Sequence, residues 1–95
     1  IYVDLENNIS QTKVLKTLFS FYKNENFVKV LKSDALLSTN DVINTNNCYI
    51  SVCKSKYRNK IIILSVIDNL IKGGAGQAVQ NLNNKFNFPE KTGLR

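Results

Sequence analysis

Hydrophobic and polar residues follow two different spacings along this chain. Stretches rich in β-branched and aromatic residues, bounded by Asn, Lys or Gly, predict strands at 1–5, 27–31, 46–54 and 60–67. Apolar positions that recur at helical spacing from Val14 to Tyr22 predict a helix capped by Ser10 or Thr12. The same criterion predicts a second helix over about 70–85.

The order of these elements is β-α-β-β-β-α. It predicts an α+β fold of one domain over residues 1–95, with a mixed or antiparallel sheet covered by helices on one face. We expect an irregular connection at 33–40 and a coil at 87–95, where Pro89 and Gly93 lie.

The start of the second helix is unusually rich in glycine. Gly73, Gly74 and Gly76 follow the corner Asp68-Asn69. A glycine inside a helix costs about 1 kcal/mol relative to alanine. Such residues are retained for a helix C-cap, for close packing, or for the close approach of a flat ligand. A C-cap does not fit here, because the apolar spacing continues past the glycines.

At 3.6 residues per turn this helix has two contrasting faces. One face holds only glycines and carboxamides: Asn69, Gly73, Gly76, Gln77 and Gln80. The opposite face holds Ala75, Val79, Leu82 and Phe86, which we expect to be a core stripe. One side of the helix should therefore pack, and the other should stay shallow and polar.

A shallow polar face suits a cofactor that carries an amide. The Asn69 carboxamide is both donor and acceptor and can pair fully with the carboxamide of a nicotinamide. Gly73 and Gly76 would leave room for the ring, and Gln77 would line the same face. The alternative is that the glycines only permit tight packing on a neighbouring domain. We expect Lys72 to be solvated rather than to bind phosphate, since no phosphate-loop motif is present.

No catalytic or metal-binding residue is predicted within this chain. Cys48 and Cys53 are five residues apart on one predicted strand, which places them on opposite faces. They can therefore neither form a disulfide with each other nor share a metal. The chain has no histidine to act as a base, so we expect two reduced, structural thiols in a cytoplasmic protein.

The chain is basic, with a net charge of +6. Its one basic cluster, Lys54, Lys56, Arg58 and Lys60, lies in a predicted turn with Tyr57 as its only aromatic residue. A solvated hairpin tip is the favoured interpretation, and a small nucleic-acid-binding module is the alternative. No apolar run reaches the roughly 18 residues of a membrane span. We thus expect neither nucleic acid nor membrane as a partner.

Two motifs carry a resemblance to a known family. The run S-V-I-D-N-L-I-K-G-G-A-G-Q-A-V-Q-N-L-N at 65–83 and F-P-E-K-T-G-L at 88–94 resemble the C-terminal end of N-acetyl-gamma-glutamyl-phosphate reductases. Residues 45–50 resemble the strand before that family's last strand, and residues 1–5 its post-catalytic strand. Gly74 stands where the family usually has Ala, and Asn87 where it usually has Gly.

This resemblance implies a function for a longer protein. The family reduces N-acetyl-glutamyl phosphate to N-acetylglutamate 5-semialdehyde with NADPH in arginine biosynthesis, on a domain like the C-terminal domain of glyceraldehyde-3-phosphate dehydrogenase. It implies that the second helix closes over the nicotinamide, with Asn69, Gly73, Gly76 and Gln77 as cofactor-binding positions. The NADP-binding Rossmann domain, the catalytic Cys and the His would lie outside this chain.

The resemblance also implies a homo-oligomer. The chain contains no Met and begins inside a predicted strand, so we expect a fragment that is inactive alone. Two alternatives remain open beside the nucleic-acid module. One is an aspartate-semialdehyde dehydrogenase, although the reductase is favoured by the continuation G-Q-A-V-Q-N-L-N. The other is a purely structural oligomerisation domain.

Overall fold

A computed structural model describes all 95 residues. It contains strands β1 (Tyr2–Asp4), β2 (Val28–Val30), β3 (Cys48–Lys54) and β4 (Lys60–Ile67), and helices α1 (Gln11–Tyr22) and α2 (Gly76–Lys85). A 3₁₀ turn (Thr39–Asp41) lies in the connection between β2 and β3, and a π-helical segment (Ile71–Ala75) joins β4 to α2. The predicted order β-α-β-β-β-α is confirmed.

The four strands form one mixed sheet in the order β1-β4-β3-β2. β4 is antiparallel to both β1 and β3, whereas β2 is parallel to β3. A parallel pair needs a long crossover, and residues 31–47 supply it between β2 and β3. The α+β class with a mixed sheet is therefore as predicted.

Alternation along the strands gives the sheet two faces. The face that carries the buried residues Val52 and Ile61 also carries Val28 and Val30, against which α1 packs through residues such as Phe19. The opposite face carries large side chains of which none is fully buried: Tyr2, Tyr49, Ile62, Leu64 and Val66.

The helix cap and the cysteines agree with the sequence. Ser10 is the N-cap of α1, and its Oγ accepts a hydrogen bond from the Lys13 backbone N–H at 3.1 Å. Cys48 and Cys53 are free thiols on opposite faces of β3. The predictions for the cap of α1 and for the placement of the two cysteines on opposite faces are confirmed.

The second predicted helix is not one continuous α-helix. Its first part has the hydrogen bonds of a π-helix, from the Gly73 N–H to the Asp68 carbonyl at 3.0 Å and from Ala75 to Leu70 at 3.1 Å. Gly74 has dihedral angles outside the helical region, and α2 begins after it at Gly76. α2 ends regularly, because Asn87 adopts a positive φ of 58°, the left-handed conformation that commonly terminates a helix.

The predicted core stripe of this helix is wrong. Val79 is 37%, Leu82 50% and Phe86 63% exposed, whereas the buried residues of α2 are Gly76 and Asn83. The helix is turned so that Gly76, Gln80 and Asn83 pack against the rest of the chain. Helical periodicity identifies two faces, but the contacts of Gly76 decide which one faces inward.

Candidate functional site

The corner after β4 is organised by one carboxylate. Asp68 Oδ1 accepts hydrogen bonds from the backbone N–H groups of Leu70 at 2.8 Å and Ile71 at 3.1 Å. Its Oδ2 accepts one from the Asn44 N–H at 2.8 Å. These bonds, the one from Asn44 most of all, lower the pKa of Asp68 below its ordinary value. Asp68 thus fixes the direction in which the chain leaves the sheet.

Asn69 and Gly73 lie together on the outer side of this corner. Both residues are exposed. A Cβ atom added at Gly73 would lie 2.9 Å from Asn69 Oδ1 and 3.3 Å from Ile67 Cδ1. The missing side chain of Gly73 therefore leaves space for the Asn69 carboxamide. Gln77 follows on α2, half-buried, and its Nε2 donates to Asn81 Oδ1 at 2.9 Å.

Gly76 is not part of this outer surface, which corrects its prediction as a cofactor-lining residue. It is buried, and an added Cβ would overlap Asn46 Oδ1 and lie 2.8 Å from Ile71 Cγ2. Gly76 is a glycine because the backbone of α2 passes directly against Asn46. Its role is packing within the chain, whereas the alternative drawn from the sequence was packing on a neighbouring domain.

The inner side of the helix holds a hydrogen-bond network centred on Gln80. Its Oε1 accepts from Asn46 Nδ2 at 2.8 Å and from Lys72 Nζ at 2.6 Å. Its Nε2 donates to Glu90 Oε1 at 2.6 Å, and Glu90 Oε2 accepts from Asn26 Nδ2. Gln80 faces inward rather than lining the outer face with Asn69.

Lys72 is held by this network. The expectation from the sequence that its side chain is solvated is therefore wrong. It is half-buried, and its Nζ lies 5.8 Å from the centre of the Phe27 ring in addition to bonding Gln80. Phe27 is itself 4% exposed. Lys72 therefore fastens the glycine-rich segment to the start of β2.

The C-terminal residues form turns that are attached to α2. Asn83 is 2% exposed, and its Nδ2 donates to the carbonyl oxygens of Glu90 at 3.0 Å and Thr92 at 2.9 Å. The Asn46 N–H donates to the Arg95 carbonyl at 2.7 Å. The predicted coil at 87–95 is thus without helix or strand, but it is anchored.

Sequence reasoning did not identify Asn46, Asn83 and Glu90 as parts of this arrangement. One signal for them existed. α2 has many carboxamides for a helix, although Asn is a poor helix former, and Glu90 lies within the second motif. Buried carboxamides require partners, and the second motif and the start of β3 supply them.

The basic cluster between β3 and β4 is partly engaged. Lys60 forms an ion pair with Asp4, and Lys56 Nζ lies 5.1 Å from the centre of the Tyr57 ring. These contacts suit a solvated hairpin tip. Neither helix of the chain has the length and apolarity that crossing a membrane requires.

Comparison with known proteins identifies the class first. The family model described as "Semialdehyde dehydrogenase, dimerisation domain" matches residues 1–69. The chain therefore belongs to this family.

Similar curated proteins narrow the class, and they confirm the resemblance carried by the two motifs. The chain is 47% identical over 94 residues to an N-acetyl-gamma-glutamyl-phosphate reductase of Ehrlichia chaffeensis, and 42% identical over 95 residues to one of Halothermothrix orenii. It is 39% identical over 95 residues to an Oryza sativa subsp. japonica protein named "Probable N-acetyl-gamma-glutamyl-phosphate reductase, chloroplastic". These matches cover 99%, 100% and 100% of the chain, which spans only 27%, 27% and 23% of the relatives' lengths.

Proposed function

We propose that this chain is the C-terminal part of the catalytic and dimerisation domain of an NADPH-dependent N-acetyl-gamma-glutamyl-phosphate reductase. The parent enzyme would convert N-acetyl-glutamyl phosphate to N-acetylglutamate 5-semialdehyde in the cytoplasm. The observation that supports this most is the pair of Asn69 and Gly73, which are exposed side by side within the run at 65–83 that resembles these reductases.

The outer side of the corner has the chemistry that a nicotinamide requires. The Asn69 carboxamide lies outside the network around Gln80, so both its donor and its acceptor are available for another amide. Gly73 adds no side chain there, and Gln77 supplies a further carboxamide. NADPH, when bound, would supply the hydride that reduces the acyl group. This chain would orient the ring and limit its exposure to water.

The exposed stripe of α2 supports the presence of a further domain. Val79, Leu82 and Phe86 line one side of the helix and are at least one-third exposed. Apolar side chains at helical spacing that find no contact within a chain commonly pack on another surface. We propose that the Rossmann domain of the same parent chain provides that surface.

The face of the sheet opposite α1 supports self-association. Tyr2, Ile62 and Leu64 share this face, and Tyr2 is 72% exposed. The apolar face of a sheet commonly becomes buried against a partner layer. We propose that a second copy of the protein covers it, in agreement with a family described as a dimerisation domain.

The substitution Asn69→Ala in the complete protein tests the cofactor assignment. Steady-state kinetics should show a KM for NADPH raised about tenfold, the equivalent of one hydrogen bond at a water-excluded site. Asn84→Ala, which removes an exposed carboxamide of α2, should leave the kinetics unchanged. Unchanged NADPH affinity and turnover in Asn69→Ala would refute the assignment.

The substrate is tested in the reverse direction of the reaction. NADP⁺ reduction is followed with N-acetylglutamate semialdehyde and phosphate, and in parallel with aspartate semialdehyde. Turnover of the acetylated substrate alone would support the proposed reductase. Turnover of aspartate semialdehyde alone would assign the protein to the related dehydrogenase.

A further inference from the structure

We infer that Gln80 is a positioning residue for the glycine-rich segment, and that Glu90 acts through it. The inference rests on the proposed function, because the role inferred for Gln80 is to hold Asn69 and Gly73 in place for the nicotinamide. Gln80 does not reach that outer surface itself. It acts from the inner side of the helix, through Lys72.

The glycine-rich segment has few side chains with which to fix its own position. Between residues 71 and 76, Gly73, Gly74 and Gly76 contribute none. Lys72 is the one member of this segment whose side chain forms a hydrogen bond to another element, and that bond goes to Gln80. The register between the segment and α2 therefore depends on the position of the Gln80 amide.

Gln80 is in turn held from two directions. Asn46, which is fully buried just before β3, donates to the same oxygen as Lys72. Glu90 accepts the amide N–H from the side of the C-terminal turns. These bonds connect the sheet, the glycine-rich segment and the C-terminal turns at one side chain. Hydrogen bonds that involve charged groups, as with Lys72 and Glu90, are stronger than neutral ones.

The direction of these bonds provides a specific test. In Gln80→Glu, a carboxylate can still accept from Lys72 and Asn46, but it loses the donor and faces the carboxylate of Glu90. In the double variant Gln80→Glu/Glu90→Gln, the new amide at 90 donates to the carboxylate at 80 and still accepts from Asn26. The double variant therefore restores every bond of the network, and only the bond between positions 80 and 90 is reversed in direction.

Hydrogen–deuterium exchange in the complete protein, with no cofactor added, measures how firmly the segment is held. Amides of residues 69–76 should exchange about tenfold faster in Gln80→Glu than in the wild type, because repulsion between the carboxylates at 80 and 90 displaces the side chain to which Lys72 is bonded. The double variant should return to within about twofold of the wild type. Asn84→Glu adds the same charge on the exposed side of α2, and it should leave this exchange unchanged.

Kinetics in the same variants measure the consequence for the cofactor. Gln80→Glu should raise the KM for NADPH about three- to tenfold while kcat stays within about twofold, because it displaces a binding surface and removes no reacting group. The double variant should recover the wild-type KM. A variant that is merely less stable would lose active protein and lower the apparent kcat without this pattern.

The two possible failures are distinguishable. Wild-type exchange at 69–76 in Gln80→Glu, or a double variant as defective as the single one, would overturn the role of Gln80. A wild-type protein that neither binds nor oxidises NADPH would overturn the proposed function, and the exchange result would still decide whether Gln80 fixes the segment.

Discussion

At the residue scale, one contact determines how α2 lies on the chain. Gly76 brings the helix backbone against Asn46, whose Nδ2 donates a hydrogen bond to Gln80 Oε1. Asn46 Oδ1 accepts no hydrogen bond although it is buried, which costs about 1–3 kcal/mol. The bonds made by Gln80 and the close packing at Gly76 offset that cost. A side chain at position 76 would separate the two surfaces.

The carboxylate of Asp68 gives the corner a pH dependence. Its pKa is lowered by backbone hydrogen bonds, from Asn44 first and then from Leu70. A lowered pKa means that the ionised form is stabilised in the folded protein. This contribution is present above the ordinary value of 3.8 and is lost as the pH falls through the lower folded pKa.

We therefore expect Asp68→Asn to be less stable than the wild type at neutral pH, because an amide cannot accept from Asn44 while it also accepts from Leu70 and Ile71. The difference in unfolding free energy should stay constant down to about pH 5 and narrow below about pH 4. Urea unfolding of both proteins across this range measures it. Asp4→Asn, which breaks only an exposed ion pair with Lys60, should have a small effect. A difference that widens in acid would contradict the prediction.

At the element scale, Asn83 attaches the C-terminal turns to α2. Its buried Nδ2 donates to two backbone carbonyl groups, those of Glu90 and Thr92. Removing a buried donor leaves such carbonyls without partners, and this costs more than the hydrogen bond itself contributes. The turns in this region have no helix or strand to hold them otherwise.

The variant Asn83→Ala should therefore lose about 2–3 kcal/mol of unfolding free energy. It should also become more sensitive to proteolysis after residue 87, since the turns at 88–95 lose two of the hydrogen bonds that attach them to the rest of the chain. Asn84→Ala, the exposed neighbour on the same helix, serves as the control and should resemble the wild type. Equal stability of the two variants would show that Asn83 does not anchor the turns.

The same elements show which features of the fold can be predicted from sequence patterns and which cannot. The bounds of β4 and the cap of α1 follow from local residues, namely the apolar run of 60–67 and the hydroxyl of Ser10. The inward side of α2 depends on the contact between Gly76 and Asn46, which lies far earlier in the chain. Helical spacing alone places Asn69 and Gly73 together, but it also puts Gly76 and Gln80 on their side, whereas both of these residues face inward. Periodicity contains no information about such long-range contacts.

At the scale of the whole molecule, two apolar surfaces remain open. One is the stripe of α2 with Val79, Leu82 and Phe86. The other is the sheet face with Tyr2, Ile62 and Leu64. They belong to different elements, so they can be covered by two different partners at the same time. The proposed Rossmann domain and second copy would cover one each, and a substitution on one surface need not affect the other.

The sheet face can be tested separately from the site. Leu64→Glu places a charge in the middle of this face, and desolvating that charge opposes association. We expect the complete protein to change from a dimer to a monomer, with a dissociation constant raised at least about 100-fold, as for a central interface residue. Sedimentation velocity over a range of concentrations measures this change.

Ser65→Glu is the matched control for this experiment. Ser65 is the next residue of β4, is exposed, and lies on the opposite face of the sheet. The same charge there should leave the dimer intact. If Ser65→Glu dissociates the protein and Leu64→Glu does not, the second copy binds the face on the side of α1. If both variants remain dimeric, association depends on a surface outside this sheet.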